Sequence, residues 1–208
     1  MLVKEKYMNP EKLLEITHLA EKLKDTPRHC YTSGGRRESV AEHCFRIAYM
    51  AIFLKDAFPD ADTDKVIKMC LLHDMGETFT GDIPTFLKNE KHEQTEKELL
   101  FSWVASLPSP YDTELKTLYD EMIERNTLEA KIFKALDGLE AVIQHNESDI
   151  STWAENEYEL NLNYAYDKVA FSGFLTQFRE LIRKETEDNP RFHSPTPTSS
   201  RPISRWTA

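Results

Sequence analysis

The chain has no basic excess, no long apolar run and no paired cysteines, and each lack removes a class of function. Its 208 residues carry 26 Lys and Arg against 36 Asp and Glu, for a formal charge of −10. A protein that neutralises many backbone phosphates needs a basic stripe, so no nucleic-acid polymer is expected as a partner. No apolar stretch approaches the roughly 18 residues that span a bilayer. Nothing at Met1-Leu-Val-Lys-Glu-Lys6 reads as a signal peptide, so a soluble, cytoplasmic protein with no membrane partner is expected. The cysteines, Cys30, Cys44 and Cys70, are odd in number and form no C-x-x-C pair, and two lie inside apolar helical runs. They read as reduced core thiols in a reducing cytosol.

Sustained period-2 alternation is also missing, as is any internal repeat, so the fold is expected to be all-α. With 40% apolar residues the chain can bury one substantial core. Apolar positions at helical spacing predict helices over 10–24, 39–58, from about 63 to His73, 88–105, 113–124, 127–145 and 168–184. Ser39-Val-Ala-Glu42 is a capping box that opens the second of these. Between the first two, Arg28 to Arg37 reads as an arginine-bearing loop with a Gly pair. After Pro190 the chain turns rich in Pro and Ser. We therefore expect one domain, residues 1–189, and a flexible tail, 190–208.

Chemistry concentrates in Lys68-Met-Cys-Leu-Leu-His-Asp-Met-Gly-Glu77 and the Thr-Phe-Thr-Gly-Asp82 that follows. His73 and Asp74 are neighbours about 100° apart on a helix, yet at a helix end or kink both can converge on one ion. His43 borders the apolar stripe Val40, Cys44, Ile47, and Asp137 stands on an otherwise apolar stretch, so each is a candidate to complete the set. Two imidazoles and two carboxylates suit a divalent transition metal with open positions, and not the closed thiolate cage of structural zinc. Lys134, one turn before Asp137, offers the competing reading of a plain ion pair.

His43, His73-Asp74 and Asp137 in this order resemble the HD superfamily of metal-dependent phosphohydrolases. More narrowly, Glu-Ser-Val-Ala-Glu-His43, His-Asp-Met-Gly-Glu77, Thr-Gly-Asp-Ile-Pro84 and Lys-Ala-Leu-Asp-Gly-Leu-Glu140 resemble the 5′-deoxynucleotidases of that superfamily, which hydrolyse deoxynucleoside monophosphates. The resemblance implies a single HD-domain helical bundle, a nucleotide substrate and a homodimer. It implies that His43, His73, Asp74 and Asp137 ligate one divalent ion, with Mn²⁺ or Co²⁺ the first expectation and Zn²⁺, Fe²⁺, Mg²⁺ or Ni²⁺ alternatives. It also implies that Glu77 acts on the attacking water, that Asp82 assists, and that Arg28 contacts the 5′-phosphate.

Members of that branch usually carry Trp after this Arg, where this chain has His29, which either binds phosphate itself or alters the pocket wall. Arg46 and Trp153 complete the candidate substrate-binding set. Because the bulk charge repels a phosphate monoester, the ion and the arginines from Arg28 to Arg46 are expected to reverse the sign locally. Two rival functions remain at this level. A di-iron oxygenase needs two more histidines, for which His92 and His145 are the candidates, and a nucleotide-binding regulatory protein would have no use for Glu77 as a proton acceptor.

Overall fold

Polar caps set the helix starts. Asn9 opens α1 (Pro10–Asp25) and Ser39 opens α2 (Val40–Ile52), each side chain accepting a backbone N–H of the first turn. Asp62, Asn89, Thr127 and Ser172 do the same for α3 (Thr63–Leu72), α5 (Glu90–Ser106), α7 (Leu128–Glu147) and α10 (Gly173–Asp188). At Ser39 the capping box is complete: the hydroxyl accepts the Glu42 amide at 3.3 Å and the Glu42 carboxylate accepts the Ser39 amide at 2.9 Å. The short α4 (Glu77–Thr80), α6 (Tyr111–Glu124), α8 (Glu157–Asn163) and α9 (Tyr166–Val169) fill the intervals. This computed structural model describes residues 7–84 and 87–189, and the expected tail lies outside them.

Four boundaries differ from the sequence reading. Arg28 to Arg37 is not a loop: β1 (Pro27–Tyr31) and β2 (Arg37–Ser39) pair antiparallel, Pro27 opposite Ser39 and Tyr31 opposite Arg37. Gly35, at φ 82°, makes the reversal, a conformation that a Cβ disfavours. The fold is therefore helical with one small two-stranded ribbon. Next, α2 stops at Ile52 and not near Phe58, because Phe53 and Leu54 switch to tighter bonds with Met50 and Ala51. The last helix begins at Gly173 instead of Lys168, after α9 and its left-handed Ala165 (φ 69°). Finally, α8 was not anticipated at all.

The core forms where α2 and α3 pack together and α7 lies across both. Val40, Cys44, Ile47, Ala48 and Ala51 of α2 meet Val66, Met69 and Cys70 of α3 and Ile132, Leu136 and Leu139 of α7. Burial of each of the larger aliphatic side chains contributes about 1.5–3 kcal/mol. Leu175 and Ile182 seat α10 on the cluster, and α5 packs beside α6. Among the described residues no helix is long and apolar enough to cross a membrane, and the three cysteines are buried and free. The three central helices each carry their polar exceptions at the edge of this core, and those exceptions face one another.

Candidate metal centre

Four side chains from three stretches converge. His43 comes from α2, and Asp137 comes from the middle of α7. His73 and Asp74 stand where α3 gives way to a short 3₁₀ turn, His73–Gly76. Asp74 departs from helical geometry (φ −95°, ψ 15°), and this kink lets two neighbours reach one point. Tyr119 donates its hydroxyl to the Leu72 carbonyl at 2.8 Å and so satisfies a backbone acceptor of that broken end. At Gly76 an added Cβ would meet Glu96 Cγ at 2.8 Å, so a side chain there would have to displace that of Glu96.

His43 Nε2 lies 3.3 Å from Asp137 Oδ1 and 4.0 Å from Asp74 Oδ2. His73 Nε2 lies 3.0 Å from Asp74 Oδ2 and 3.9 Å from Asp137 Oδ1. Both Nδ1 atoms are committed elsewhere. That of His73 donates to the Cys70 carbonyl at 2.9 Å, and that of His43 donates to the fully buried Glu140 carboxylate at 2.5 Å. Each imidazole therefore turns an Nε2 lone pair toward a carboxylate oxygen. Two acceptors can face each other this closely only with a positive charge between them, either extra protons or one divalent cation.

The electrostatics say the same. Burial and Arg28 oppose a charge on His43, yet Glu140 and Asp137 outweigh them and raise its pKa. Burial opposes a charge on His73, and Asp74 overcomes it. Despite burial, His73 and then His43 hold Asp74 down at about 2, and Lys134 with the two imidazoles holds Asp137 low. A nitrogen-and-oxygen donor set with outer hydrogen bonds fixing the tautomers fits a divalent transition ion.

Asp137 has one oxygen for each of the two readings made of it. Its Oδ1 faces the histidines, while Oδ2 accepts from the Lys134 ammonium at 2.7 Å. The centre opens into a cavity of about 840 Å³, whose wall includes Glu77, Asp82, Arg28 and His29. Glu77 is buried, and its Oε2 has no hydrogen-bond partner among the described residues. Burial, then Asp74, Asp82 and Glu96, push its carboxyl up to about 10. Burial also raises Asp82, with Arg28 opposing and Asp74 adding to it.

The substrate candidates fare unevenly. Arg28 reaches the cavity wall, but its Nη1 is held by Glu38 at 2.8 Å and Glu140 at 3.1 Å. His29 Nε2 lies 3.0 Å from Glu157 Oε1, the oxygen that His145 Nε2 also approaches at 3.0 Å. Arg46 is not in the cavity wall: it grips Glu147 with two contacts of 2.7 Å and Gln144 at 3.0 Å. Trp153 is not in the wall either. It is buried behind His145 and donates its indole N–H to Ser148 at 2.9 Å, so its apolar body was worth more in the core. The charged Lys88–Glu98 run is mostly exposed, and it also borders the cavity through Lys88, Glu90, Glu93, Glu96 and Lys97.

A second ion gains no ligands from the oxygenase candidates. His145 is bound to Ala141 and Glu157, roughly 12 Å along α7 from Asp137 at 1.5 Å per residue, and His92 is outside the cavity wall. The sequence reading missed Glu38 and Glu140. Both are buried acids on otherwise apolar or strand positions, and an acid three residues after Asp137 on the same stripe was the available signal.

In this helical bundle two histidines and two aspartates converge from three stretches, with one His-Asp pair at a kinked helix end, and make a candidate metal site. The chain belongs to the HD-domain family, whose model matches residues 20–176. It is 35% identical over 140 residues to the 5′-deoxynucleotidase HDDC2 of Homo sapiens, covering 65% of this chain and 67% of that protein. It is 30% identical over 168 residues to the 5′-deoxynucleotidase hdd1 of Schizosaccharomyces pombe, covering 71% and 84%. Its fold is similar to that of a solved protein described as a predicted metal-dependent phosphohydrolase from Magnetospirillum magnetotacticum MS-1. The TM-score is 0.69 at 24% identity, covering 85% of this chain and 94% of that one.

Proposed function

We propose that the chain is a divalent-metal-dependent phosphohydrolase that removes the 5′-phosphate from deoxynucleoside and nucleoside monophosphates. One observation carries this reading: two Nε2 atoms and two carboxylates converge at a cavity wall while both Nδ1 atoms are already committed. The names of the two 5′-deoxynucleotidase relatives support the substrate class.

His43, His73, Asp74 and Asp137 would hold the ion. When bound, such an ion lowers the pKa of its water and polarises the phosphoryl oxygen. With the ion bound, the Glu77 carboxyl would be lowered from its raised metal-free value by the added positive charge, and Glu77, whose Oε2 has no other partner among the described residues, would then accept the proton of the attacking water. Asp82, one residue after the Gly81 turn, assists at the same wall. Glu140 keeps the His43 ring oriented and its Nε2 free. The aromatic and aliphatic wall residues Phe133, Leu100 and Phe101 restrict water around the reacting group.

Mn²⁺ or Co²⁺ is the proposed ion, since imidazole and carboxylate donors in equal number suit either. The same reading includes a cytoplasmic homodimer. Three buried free thiols support the reducing compartment. The dimer is supported by an exposed aromatic ladder along α2 and its C-cap, in which Phe45 stacks on Tyr49 at 6.3 Å and Tyr49 meets Phe53 edge-on at 5.0 Å between ring centres. The test is a phosphate-release screen of metal-stripped protein resupplied with each divalent ion, against nucleoside mono-, di- and triphosphates. Release from monophosphates with Mn²⁺ or Co²⁺ is expected. Protein that binds the ion at the four residues and releases phosphate from none of them would sink the proposal.

A further inference from the structure

We propose that Lys134 and Lys168, and not the arginines of the N-terminal hairpin and α2, receive the phosphoryl group. This inference rests on the reading that a nucleotide is dephosphorylated at the metal centre. In a chain of charge −10, a cavity that takes a phosphate dianion must reverse the sign locally. Arg28 to Arg46 looked like the source of that reversal, but their charges are already answered. Arg28 meets Glu38 and Glu140, Arg46 meets Glu147 and lies 3.8 Å from Glu140, and Arg36 meets Glu42. Arg37 lies over the Tyr31 ring, 5.5 Å from its centre, and is not in the cavity wall. Around Arg28 and Arg46 two guanidiniums stand against three carboxylates, which leaves no surplus for a ligand.

The surplus lies elsewhere in the wall of the same cavity, to which Lys134, Lys168 and Arg125 contribute. Lys134 is bound at 2.7 Å to Asp137 Oδ2, the oxygen of that carboxylate turned away from the histidines. Its ammonium therefore stands one carboxylate's width from the metal centre, close enough for one phosphoryl group to touch both. Asp137 acts most strongly on Lys134 and favours its charge, while Arg125 opposes it. Among the described residues no carboxylate lies within ion-pair distance of Lys168 or Arg125. Lys168 instead rests on the face of Tyr164, its Nζ 3.6 Å from the ring centre. A ring face holds an ammonium without neutralising it. Three cations thus share one carboxylate there.

The local backbone is arranged to admit Lys168. Gly138 follows Asp137 on α7, and a Cβ at that position would lie 3.0 Å from Lys168 Cδ and 2.9 Å from the Ala165 Cβ. Without it, the lysine stem packs flat on α7 and delivers its ammonium to the cavity. Acids do line the cavity elsewhere, but Glu90, Glu93 and Glu96 stand on α5, and Glu96 is taken by Lys88 at 2.7 Å.

The test uses Mn²⁺-loaded full-length protein and three variants, K168Q, K168R and R46Q, with inorganic phosphate and an uncharged nucleoside as probes in calorimetric titrations. K168Q is expected to weaken phosphate binding about tenfold, the loss of one charge-assisted hydrogen bond, and K168R to recover most of it. R46Q should bind phosphate within about twofold of the parent. Affinities for Mn²⁺ and for the nucleoside should stay unchanged in K168Q, which a merely structural lysine would not guarantee. The proposal is overturned if K168Q binds phosphate as the parent does, or if phosphate and nucleoside affinities fall together. Parent protein that hydrolyses no nucleotide would remove the catalytic reading while leaving the K168Q phosphate difference to stand or fall by itself.

Discussion

His43 donates its Nδ1 proton to Glu140, and neither side chain reaches solvent, with exposures of 1% and 0%. Glu140 also accepts from Arg28, so one buried carboxylate ties a metal-ligand candidate to the hairpin. Removing it frees the imidazole to rotate and to take either tautomer. Glu140→Ala is expected to weaken Mn²⁺ binding by about 10–100-fold, the usual effect of losing a ligand's outer hydrogen bond. Glu140→Gln, which keeps an acceptor, should lose less. Calorimetric titration of stripped protein measures both, and an unchanged affinity in the alanine variant would refute the orienting role.

Arg28 holds the other side of that network. Its Nη1 bridges Glu38 and Glu140, which are 2% and 0% exposed, and the Cys30 thiol adds a contact to Glu38 at 3.2 Å. Arg28→Ala would leave Glu38 with no cation in contact and Glu140 with only His43 and the more distant Arg46 Nη1, at 3.8 Å, to offset it. The expected cost is about 3–5 kcal/mol, read from urea unfolding at neutral pH. Adding Glu38→Ala removes one of the stranded charges, so the double variant should be more stable than the arginine variant alone. If the double variant is the less stable, the guanidinium is not there to compensate charge.

The metal-ligand candidates were legible because each stands beside a helical apolar stripe that fixes its direction. Val40, Cys44 and Ile47 orient His43 toward the core edge, and Leu136 and Leu139 do the same for Asp137. The outer residues were not legible, since nothing in a period-3.6 pattern says that Glu140 meets His43 from 97 positions away. The hairpin escaped because Arg37–Ser39 is three residues long, too short for alternation to register. The place of the α5 run beside the cavity was hidden for a different reason. A helix face that lines a wet cavity has the same composition as one that faces bulk water, so Lys88 and Glu96 read alike in either setting.

Glu77 supplies a pH-dependent prediction for the metal-free protein. Its carboxyl sits near 10 in the folded chain against an ordinary 4.5, chiefly through burial. Between those values the folded state keeps a proton that the unfolded state releases, so this group's contribution is intact below the lower value and is lost progressively as pH rises toward the upper one. With chelator present, the Tm of the parent should therefore fall from pH 6 to pH 9 more steeply than that of Glu77→Gln, which has no proton to lose. At pH 8 the glutamine variant should be the more stable by several degrees, about 2–4 °C per kcal/mol for a chain of this size. It should also be inactive in phosphate release. Parallel Tm-against-pH curves would rule out a buried, protonated Glu77.

Gly81 lies between two acids of the cavity wall, Glu77 and Asp82, and its backbone at φ 75°, ψ 166° lies in a region that only glycine occupies without strain. Nothing lies within 4 Å of where a Cβ would sit, so the cost of Gly81→Ala is conformational and not steric. About 1–3 kcal/mol of strain is expected, a fall in Tm of roughly 2–12 °C. The alternative open to the chain is to flip this residue to negative φ, which would swing Asp82 away from the wall that Glu77 shares. That relaxation predicts a lower kcat with metal affinity preserved, because His43, His73, Asp74 and Asp137 lie outside the turn. A Gly81→Ala enzyme with normal kcat and a lowered Tm would mean that the strain is absorbed in place and that Asp82 keeps its position.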